Sequence, residues 1–228
     1  MSRILAIETS AEACSVAILD GGELLEFFEH APMKHAELLL PAVQSLLAQA
    51  GLALSDVDAI AFGRGPGSFT SLRIGIGVVQ GLAWAAERPV VPVSSLAAIA
   101  QEAAESAGEA APLVRVATDA RMQEVYCGDF SPGYDGIVRG VAAERVCPPG
   151  ELGDVEDQPF IAAGNGFERF DELRTLAGRA VCCLPSILPR AAVVARLAAD
   201  WLQRNEPLQP MQAQPVYVRN EVAKKAGS

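Results

Sequence analysis

Two acidic residues occupy the same place in two similar hairpin patterns of this 228-residue chain. Glu8 lies in IETSAEACSVAI, and Asp119 lies in TDARMQEVYCGDF. Such carboxylates can hold a magnesium ion and orient water for nucleotide hydrolysis. However, the turns at 9–12 and 120–123 lack the glycines that let backbone N–H groups approach phosphates, so we expect the acids to cap or salt-bridge their hairpins. If a vestigial nucleotide site persists, its residues are Glu8, Thr9, Ser10 and Asp119.

Histidines and cysteines offer little for metal or nucleophilic chemistry. His30 and His35 are five positions apart, so on a helix their side chains would diverge by more than about 100°. No H-E-x-x-H or G-x-S-x-G segment is present, which argues against a metallopeptidase and a serine hydrolase. The five cysteines form no C-x-x-C pair, and their odd number favours free, buried thiols. We predict no metal site and no catalytic residue, and a capping or surface role for His35.

A glycine-rich loop, Gly63–Gly67, joins a predicted strand to a predicted helix. Its three glycines and one proline suit a sharp turn whose backbone lies close to another surface. Ser68 or Thr70 is expected to cap the helix that follows. A helix N-terminus in this setting can bind phosphate, but the Lys and Ser/Thr of a Walker loop are absent. Both a phosphate site and a structural turn beside a partner remain open, and we favour the turn.

The helix after this loop contains three glycines, Gly75, Gly77 and Gly81, each of which costs about 1 kcal/mol relative to alanine. Gly77 and Gly81 lie one turn apart on one face, where they would let another helix approach closely. That helix could belong to a partner protein or to this domain. We favour the partner.

An earlier helix, predicted over His35–Gln49, is apolar around more than the stripe of roughly 100° that one core face requires. Its apolar positions are Leu38, Leu39, Leu40, Ala42, Val43, Leu46 and Leu47. An exposed second apolar face is a liability unless another protein covers it. The predicted partner interface comprises His35, Leu38, Leu39, Ala42, Val43, Leu46, Phe69, Arg73, Ile76, Gly77, Gln80, Gly81 and Trp84.

The composition limits the partners. A net charge of −10 would repel a phosphate backbone, so direct binding of nucleic acid by this chain alone is disfavoured. The longest apolar stretches are interrupted by Pro, Gly, Gln or Ser before they reach spanning length, so we expect no transmembrane helix and no membrane contact. The opening MSRILAIETS lacks the pattern of a signal peptide, which predicts a cytoplasmic protein.

Hydrophobic periodicity predicts two successive α/β units. In the first, strands at 4–7, 13–19 and 24–28 precede a helix at 35–49, a strand at 58–62, a helix at 68–86, a strand at 89–93 and a helix at 94–104. The segment 107–112 is small, polar and ends in proline, which indicates a boundary. We predict domains at 1–108 and 109–228, with the C-terminal tail able to pack back on the first.

The second unit roughly repeats the order of the first. Strands are predicted at 113–118, 123–130, 137–146 and 160–163, with helices near 167–176 and 189–204. Two stacked βββαβα units are typical of the duplicated two-domain actin/Hsp70/sugar-kinase-like (ASKHA) fold. The predicted fold class is therefore α/β of this type.

Four segments, at 4–19, 34–47, 60–85 and 116–130, together resemble the TsaB (YeaZ-type) family, and PVYVR at 215–219 resembles that family's tail. The most distinctive is IAFGRGPGSFTSLRIGIGVVQGLAWA. TsaB proteins are paralogues of TsaD (Kae1/Gcp-type) subunits, which hold a catalytic metal with two histidines in I-P-V-N-H-x-x-x-H. The corresponding stretch here, 91–99, has Ser95 and Ile99 at those positions, and isoleucine offers no ligand atom.

The resemblance implies a non-catalytic, stabilising scaffold that is required for threonylcarbamoyl transfer to the tRNA adenosine next to the anticodon. It implies that the chain pairs its two apolar helices with those of a TsaD-type catalytic subunit, or with a second copy of itself when that subunit is absent. It further implies a TsaE-type ATPase as partner, only indirect contact with tRNA, and no cofactor of the chain's own, with any ATP or ADP at the subunit interface. The alternative is an active ATP-dependent kinase or ATPase of the sugar-kinase type, which would use Glu8 and Asp119.

Overall fold

The structure, a computed structural model, describes residues 2–107, 111–155 and 158–219. Its first half has the predicted element order, with boundaries within a few residues of those expected from the sequence. These elements are β1 (Ile4–Glu8), β2 (Ala13–Asp20), β3 (Glu23–His30), α1 (His35–Ala50), β4 (Ala59–Gly63), α2 (Phe69–Ala86), β5 (Val90–Val93) and α3 (Ser95–Ser106).

The second half follows the same plan but is more broken than predicted. Its elements are β6 (Leu113–Asp119), β7 (Val125–Pro132), β8 (Val138–Gly140), β9 (Arg145–Cys147), β10 (Phe160–Ala163), α4 (Gly166–Arg169), α5 (Asp171–Ala177), β11 (Cys182–Leu184) and α6 (Ala191–Trp201).

Three differences from the sequence prediction have identifiable causes. The single strand expected at 137–146 is wrong: β8 pairs with one end of β7 and β9 with the other, so the chain leaves the sheet between them. The helix expected at 167–176 is interrupted at Phe170, which has extended backbone and a buried side chain. The second strand starts at Val125, because residues 121–123 have left-handed backbone.

The two sheets have the same strand arrangement. The first has the order β3-β2-β1-β4-β5 and the second β11-β10-β6-β7-β8. In each, the central strand pairs antiparallel with the next strand along the chain and parallel with the strand after the hairpins. This repeated topology confirms the predicted duplicated fold of the actin/Hsp70/sugar-kinase type.

The helices connect the two halves, because the last helix of each unit packs on the other unit. On one side of the first sheet, α1 and α2 form a core with β1, β2 and β4. The opposite side is covered by α6 from the second half. In turn, α3 from the first half packs its Leu96, Ile99 and Ala103 against the second sheet. The proposed division at residue 108 stays a prediction, and residues 108–110 lie outside the described residues.

By length and composition, α2 could cross a membrane, and it is the one helix in the described part of the chain that could. The sequence analysis expected no such helix. Its inner side nevertheless packs on the first sheet through Ile76, Val79 and Ala83.

Candidate functional site

The Glu8 carboxylate, at the end of β1, is enclosed by the chain itself. Its residue is only 1% exposed. The Ser10 backbone N–H donates to Oε1 at 2.5 Å, and the Ser95 hydroxyl donates to Oε2 at 2.8 Å. Burial raises the pKa of the Glu8 carboxyl, while these hydrogen bonds act in the opposite direction. Both oxygens are therefore engaged within the fold and face no open space for magnesium or water.

The glycine loop lies directly against this hairpin. A Cβ at Gly63 would lie 2.0 Å from Glu8 Oε2, and a Cβ at Gly67 would lie 2.3 Å from the Ser10 carbonyl oxygen. The Ser68 N–H also donates to that carbonyl at 2.7 Å. These glycines are required by close approach to Glu8 and Ser10, so the surface beside the turn is this chain's own first hairpin.

The expected side-chain cap of α2 is wrong. Ser68 occupies the N-cap position, but its hydroxyl pairs with the Ser71 hydroxyl at 3.0 Å and accepts no backbone N–H. Thr70 is exposed within the first turn of the helix. The start of α2 is held through the backbone bond to Ser10.

The second unit closes on the same loop through Glu144, which lies between β8 and β9. Its carboxylate pairs with Arg64 at 3.4 Å and accepts a hydrogen bond from the Ser94 hydroxyl. Ser94 also caps α3 by accepting the Ala97 N–H. Charged side chains thus join the two units beside Glu8.

Asp119, the counterpart of Glu8, is paired with cations. Its side chain is 6% exposed and lies 3.3 Å from the Arg121 guanidinium and 3.4 Å from that of Arg169. The Arg121 N–H donates to its second oxygen at 2.9 Å. This is the salt-bridging arrangement expected as the default. A vestigial nucleotide role for Glu8, Thr9, Ser10 and Asp119 stays a prediction.

The positions that carry metal-binding histidines in TsaD-type proteins face inward. Ser95 donates to Glu8, and Ile99 is buried in the core beneath the second sheet. Within residues 2–107, 111–155 and 158–219, no three His, Cys, Asp or Glu side chains are grouped to hold a metal.

Part of the predicted partner interface lies in the interior. His35 is buried, and its Nε2 lies 3.1 and 3.2 Å from the carbonyl oxygens of Ala11 and Ala13, so this nitrogen carries the proton and donates. It fastens α1 to the first hairpin and is neither a cap nor a surface residue. The core also contains the side chains of Leu39, Ala42, Val43, Leu46 and Ile76. The interface prediction is wrong for these six residues, because they form the inward stripe of their helices.

The other predicted positions face outward or lie at the edge. Phe69 is 47% and Trp84 70% exposed, and Arg73, Gly77 and Gly81 are exposed between them. Leu38 and Gln80 are half-buried. On α1, Leu40 is 45% exposed; it was absent from the predicted interface, although its place opposite the buried stripe could have identified it. We call Leu40, Pro41 and Gln44 of α1, with Phe69, Arg73, Gly77, Gly81 and Trp84 of α2, the outer face.

The glycines of α2 divide into two kinds. A Cβ at Gly75 would lie 2.2 Å from Thr9 Oγ1, so this glycine is needed for packing on the first hairpin. A Cβ at Gly77 or Gly81 would meet no atom within 4 Å. Internal packing therefore explains why residue 75 is glycine. It does not explain why residues 77 and 81, on the outer face, are glycines.

Charge is nearly absent from these two helices. Glu37 is the one Asp, Glu, Lys or Arg of α1, and Arg73 is the one of α2. Both lie near the N-terminal ends. Most of the outer face is therefore small, apolar or neutral, which is unusual for a surface that meets only water.

Comparisons with known proteins identify the family of this chain. Residues 29–200 match the family model of TsaD, tRNA N6-adenosine threonylcarbamoyltransferase. The tRNA threonylcarbamoyladenosine biosynthesis protein TsaB of Escherichia coli is 39% identical, over 98% of this chain and 97% of that protein. TsaB of Haemophilus influenzae is 38% identical, over 97% and 95% of the respective chains. The chain belongs to the TsaB family.

Two crystal structures from Pseudomonas aeruginosa share this TsaB fold. One is described as YeaZ and the other as an uncharacterized protein with similarity to peptidase YeaZ. The structure described as YeaZ is 46% identical to this chain over 95% of this chain and 100% of that one, with a TM-score of 0.88. The other is also 46% identical, over 96% of this chain and 100% of that one, with a TM-score of 0.89. The TsaD family match fits the expected kinship between TsaB and TsaD proteins.

The two kinds of glycine predict opposite effects of a single added methyl group. Gly75→Ala should lower the free energy of unfolding by about 1–3 kcal/mol, because Thr9 must move. Gly77→Ala should raise it by up to about 1 kcal/mol, because alanine favours the helix and meets nothing. Urea unfolding of both variants checks this, and equal changes would contradict the distinction.

Glu8 predicts a pH dependence of stability. A carboxyl whose pKa is raised by folding binds its proton more tightly in the folded chain, so stability is greatest at low pH and falls as pH rises from the ordinary carboxyl pKa towards the raised value. Glu8→Gln removes this loss and can still accept from Ser10 and pair with Ser95. Its stability relative to the natural chain should therefore increase with pH across that window.

Urea unfolding at a series of pH values tests this prediction, with Glu151→Gln, a surface carboxylate change, as the matched control. A constant difference between Glu8→Gln and the natural chain at all pH values would show that Glu8 is not the group responsible.

Proposed function

We propose that this chain is a non-catalytic subunit that docks through its outer face onto a TsaD-type subunit and supports threonylcarbamoyl transfer to tRNA adenosine. The observation that carries the proposal is the open pair Gly77 and Gly81. These glycines reduce helix stability by about 1 kcal/mol each and serve no contact inside the chain. Their use is then outside it, where a partner's helix can approach the backbone of α2.

The rest of the outer face suits the same partner. We call Gly77 and Gly81 the glycine track. Phe69 and Trp84 are exposed apolar side chains before and after this track on α2, and Leu40 is an exposed apolar side chain on α1. A surface pocket of about 540 Å³ opens beside Trp84 at the C-terminal end of α2, between Arg88 and Pro210. Aromatic anchors and a concave feature near an uncharged centre are typical of protein interfaces. A paralogous subunit or a second copy could supply two complementary helices.

The enclosed cleft supports a role without chemistry. Ser10, Ser95 and Gly63 surround Glu8, and Asp119 is held by two arginines. A kinase or ATPase of the sugar-kinase type would need both carboxylates open to magnesium and water. The TsaD-type partner would then perform the transfer.

The remaining roles follow from the same proposal. With a net charge of −10, the chain would meet tRNA through its partner and not directly. A TsaE-type ATPase would bind the assembled pair, and any ATP or ADP would bind at the subunit junction. The chain would form homodimers through the outer face when alone and would work in the cytoplasm with the other tRNA-modification proteins.

A bulky residue on the glycine track should block docking without harming the fold. Gly77→Leu should weaken binding of the TsaD-type subunit by about 10- to 100-fold, the effect of roughly 1–3 kcal/mol of overpacking at a tight helix crossing. The free chain should be at least as stable as the natural one, because leucine favours the helix over glycine and no atom lies within 4 Å of the new Cβ. Calorimetric titration and gel filtration measure both quantities.

The matched control is Gly150→Leu, since Gly150 also has open space around its Cβ and lies on the second unit, away from the outer face. It should bind like the natural chain. Equal affinity of Gly77→Leu and the natural chain would exclude the proposed surface.

A further inference from the structure

The last described segment of the chain returns from the second unit to the first and then crosses back. Leu208 pairs with Val90 at the edge of the first sheet, and Ala213 is buried under α2, where its carbonyl accepts from the Gln80 side chain at 2.8 Å. The Val216 N–H then donates to the Arg64 carbonyl at 2.9 Å. We call residues 213–219 the strap.

One end of the strap lies on the outer face. The Tyr217 ring lies 5.8 Å from the Phe69 ring, and its hydroxyl accepts from Arg73 Nε at 3.1 Å. The Arg73 guanidinium sits 3.8 Å above the centre of the Phe69 ring. Tyr217 is itself exposed, so a partner that covers Phe69 and Arg73 must also meet it.

The other end of the strap holds the β6–β7 turn of the second unit. Arg219 donates to the Ala120 carbonyl at 3.2 Å, contacts Met122 Sδ at 3.3 Å and forms an ion pair with Glu124. Its side chain is only 16% exposed. In this turn, three consecutive non-glycine residues, 121–123, have left-handed backbone. Each such residue costs about 1–2 kcal/mol, so the turn depends on contacts that hold it.

These contacts connect the outer face to the β6–β7 turn through a short stretch of chain. From Tyr217 to Arg219 is two residues, at most about 7 Å of chain. A change in the position or order of Tyr217 must therefore reach Arg219. Because Val216 is fixed to the glycine loop, the strap has little freedom to absorb the change elsewhere.

We infer that the strap couples docking on the outer face to the order of the β6–β7 turn, with Tyr217 as the docking end and Arg219 as the turn end. This inference rests on the proposed function and adds its regulation. A partner that fixes Tyr217 favours the state in which Arg219 contacts the β6–β7 turn. Because such coupling is reciprocal, a change that loosens the turn must weaken docking by the same factor by which docking orders the turn.

The test uses Arg219→Ala, which acts outside the outer face. In the natural chain, binding of the TsaD-type subunit should slow amide hydrogen exchange at residues 120–125 by about fivefold or more, the lower end of typical allosteric coupling. In Arg219→Ala, exchange there should be faster in the free chain, and the partner should bind about five- to tenfold more weakly.

Two further variants show whether the ion pair between strap and turn is responsible. Glu124→Gln breaks the same ion pair from the turn side, and it should reproduce both effects. The combined variant should bind no more weakly than Arg219→Ala, because that substitution already removes the ion pair that Glu124→Gln breaks. Arg174→Ala removes a surface ion pair with Asp171 and is the matched control, expected to change neither quantity.

The outcomes separate the two proposals. If the natural chain fails to bind a TsaD-type subunit, the proposed function fails. If it binds, but Arg219→Ala and Glu124→Gln keep full affinity while the turn exchanges faster, then docking and turn are independent and the coupling is wrong.

Discussion

The arrangement of this chain depends on the burial of one carboxylate. Glu8 ends the central strand of the first sheet and receives hydrogen bonds from its own hairpin and from the first residue of α3. The loop that leads into α2 can lie against it only because Gly63 has no side chain. A buried carboxylate without partners would be strongly unfavourable, so these contacts are maintained together. Because of these contacts Glu8, which is of a type that can bind magnesium, instead helps to fix the position at which α2 begins.

The position of α2 in turn separates its two sides. Gly75 faces the hairpin and permits close packing against Thr9, whereas Gly77 and Gly81 face outward and meet nothing. The same residue type therefore serves the fold on one side of the helix and is free for a partner on the other. Together with the TsaB family membership, this division supports a protein that acts by contact, with its interior closed and its outer face available. The strap links the outer face to the second unit.

Much of the fold could be predicted because the first unit has strong local signals. Alternating strands, the Asp20-Gly21-Gly22 turn and the glycine loop each specify their own structure. The second unit was harder. The three-residue strands β9 and β11 are defined by pairing with strands that are not their neighbours along the chain, and the break at Phe170 results from tertiary packing of that ring. Local periodicity carries neither kind of information.

The site was predicted only in part for a related reason. The apolar excess of α1 predicted two faces, but hydrophobicity alone could not tell the buried stripe from the exposed side, so Leu39 and Leu46 were assigned to the interface and Leu40 was not. His35 was misplaced because its carbonyl partners come from a hairpin more than 20 positions away. Gly77 and Gly81 were identified because glycine within a helix is costly wherever it lies.

The central claim is that this chain supports transfer through its outer face and not through its cleft. The most direct measurement is the rate of threonylcarbamoyl transfer to tRNA in a mixture of TsaD-type and TsaE-type proteins. The mixture also contains a TsaC-type synthase, which supplies the threonylcarbamoyl donor, with threonine, bicarbonate and ATP. To this mixture is added the natural chain, Glu8→Gln or Gly77→Leu. The account predicts full activity with Glu8→Gln and, with Gly77→Leu at limiting concentration, a rate close to that without the chain. Loss of activity with Glu8→Gln and full activity with Gly77→Leu would contradict it.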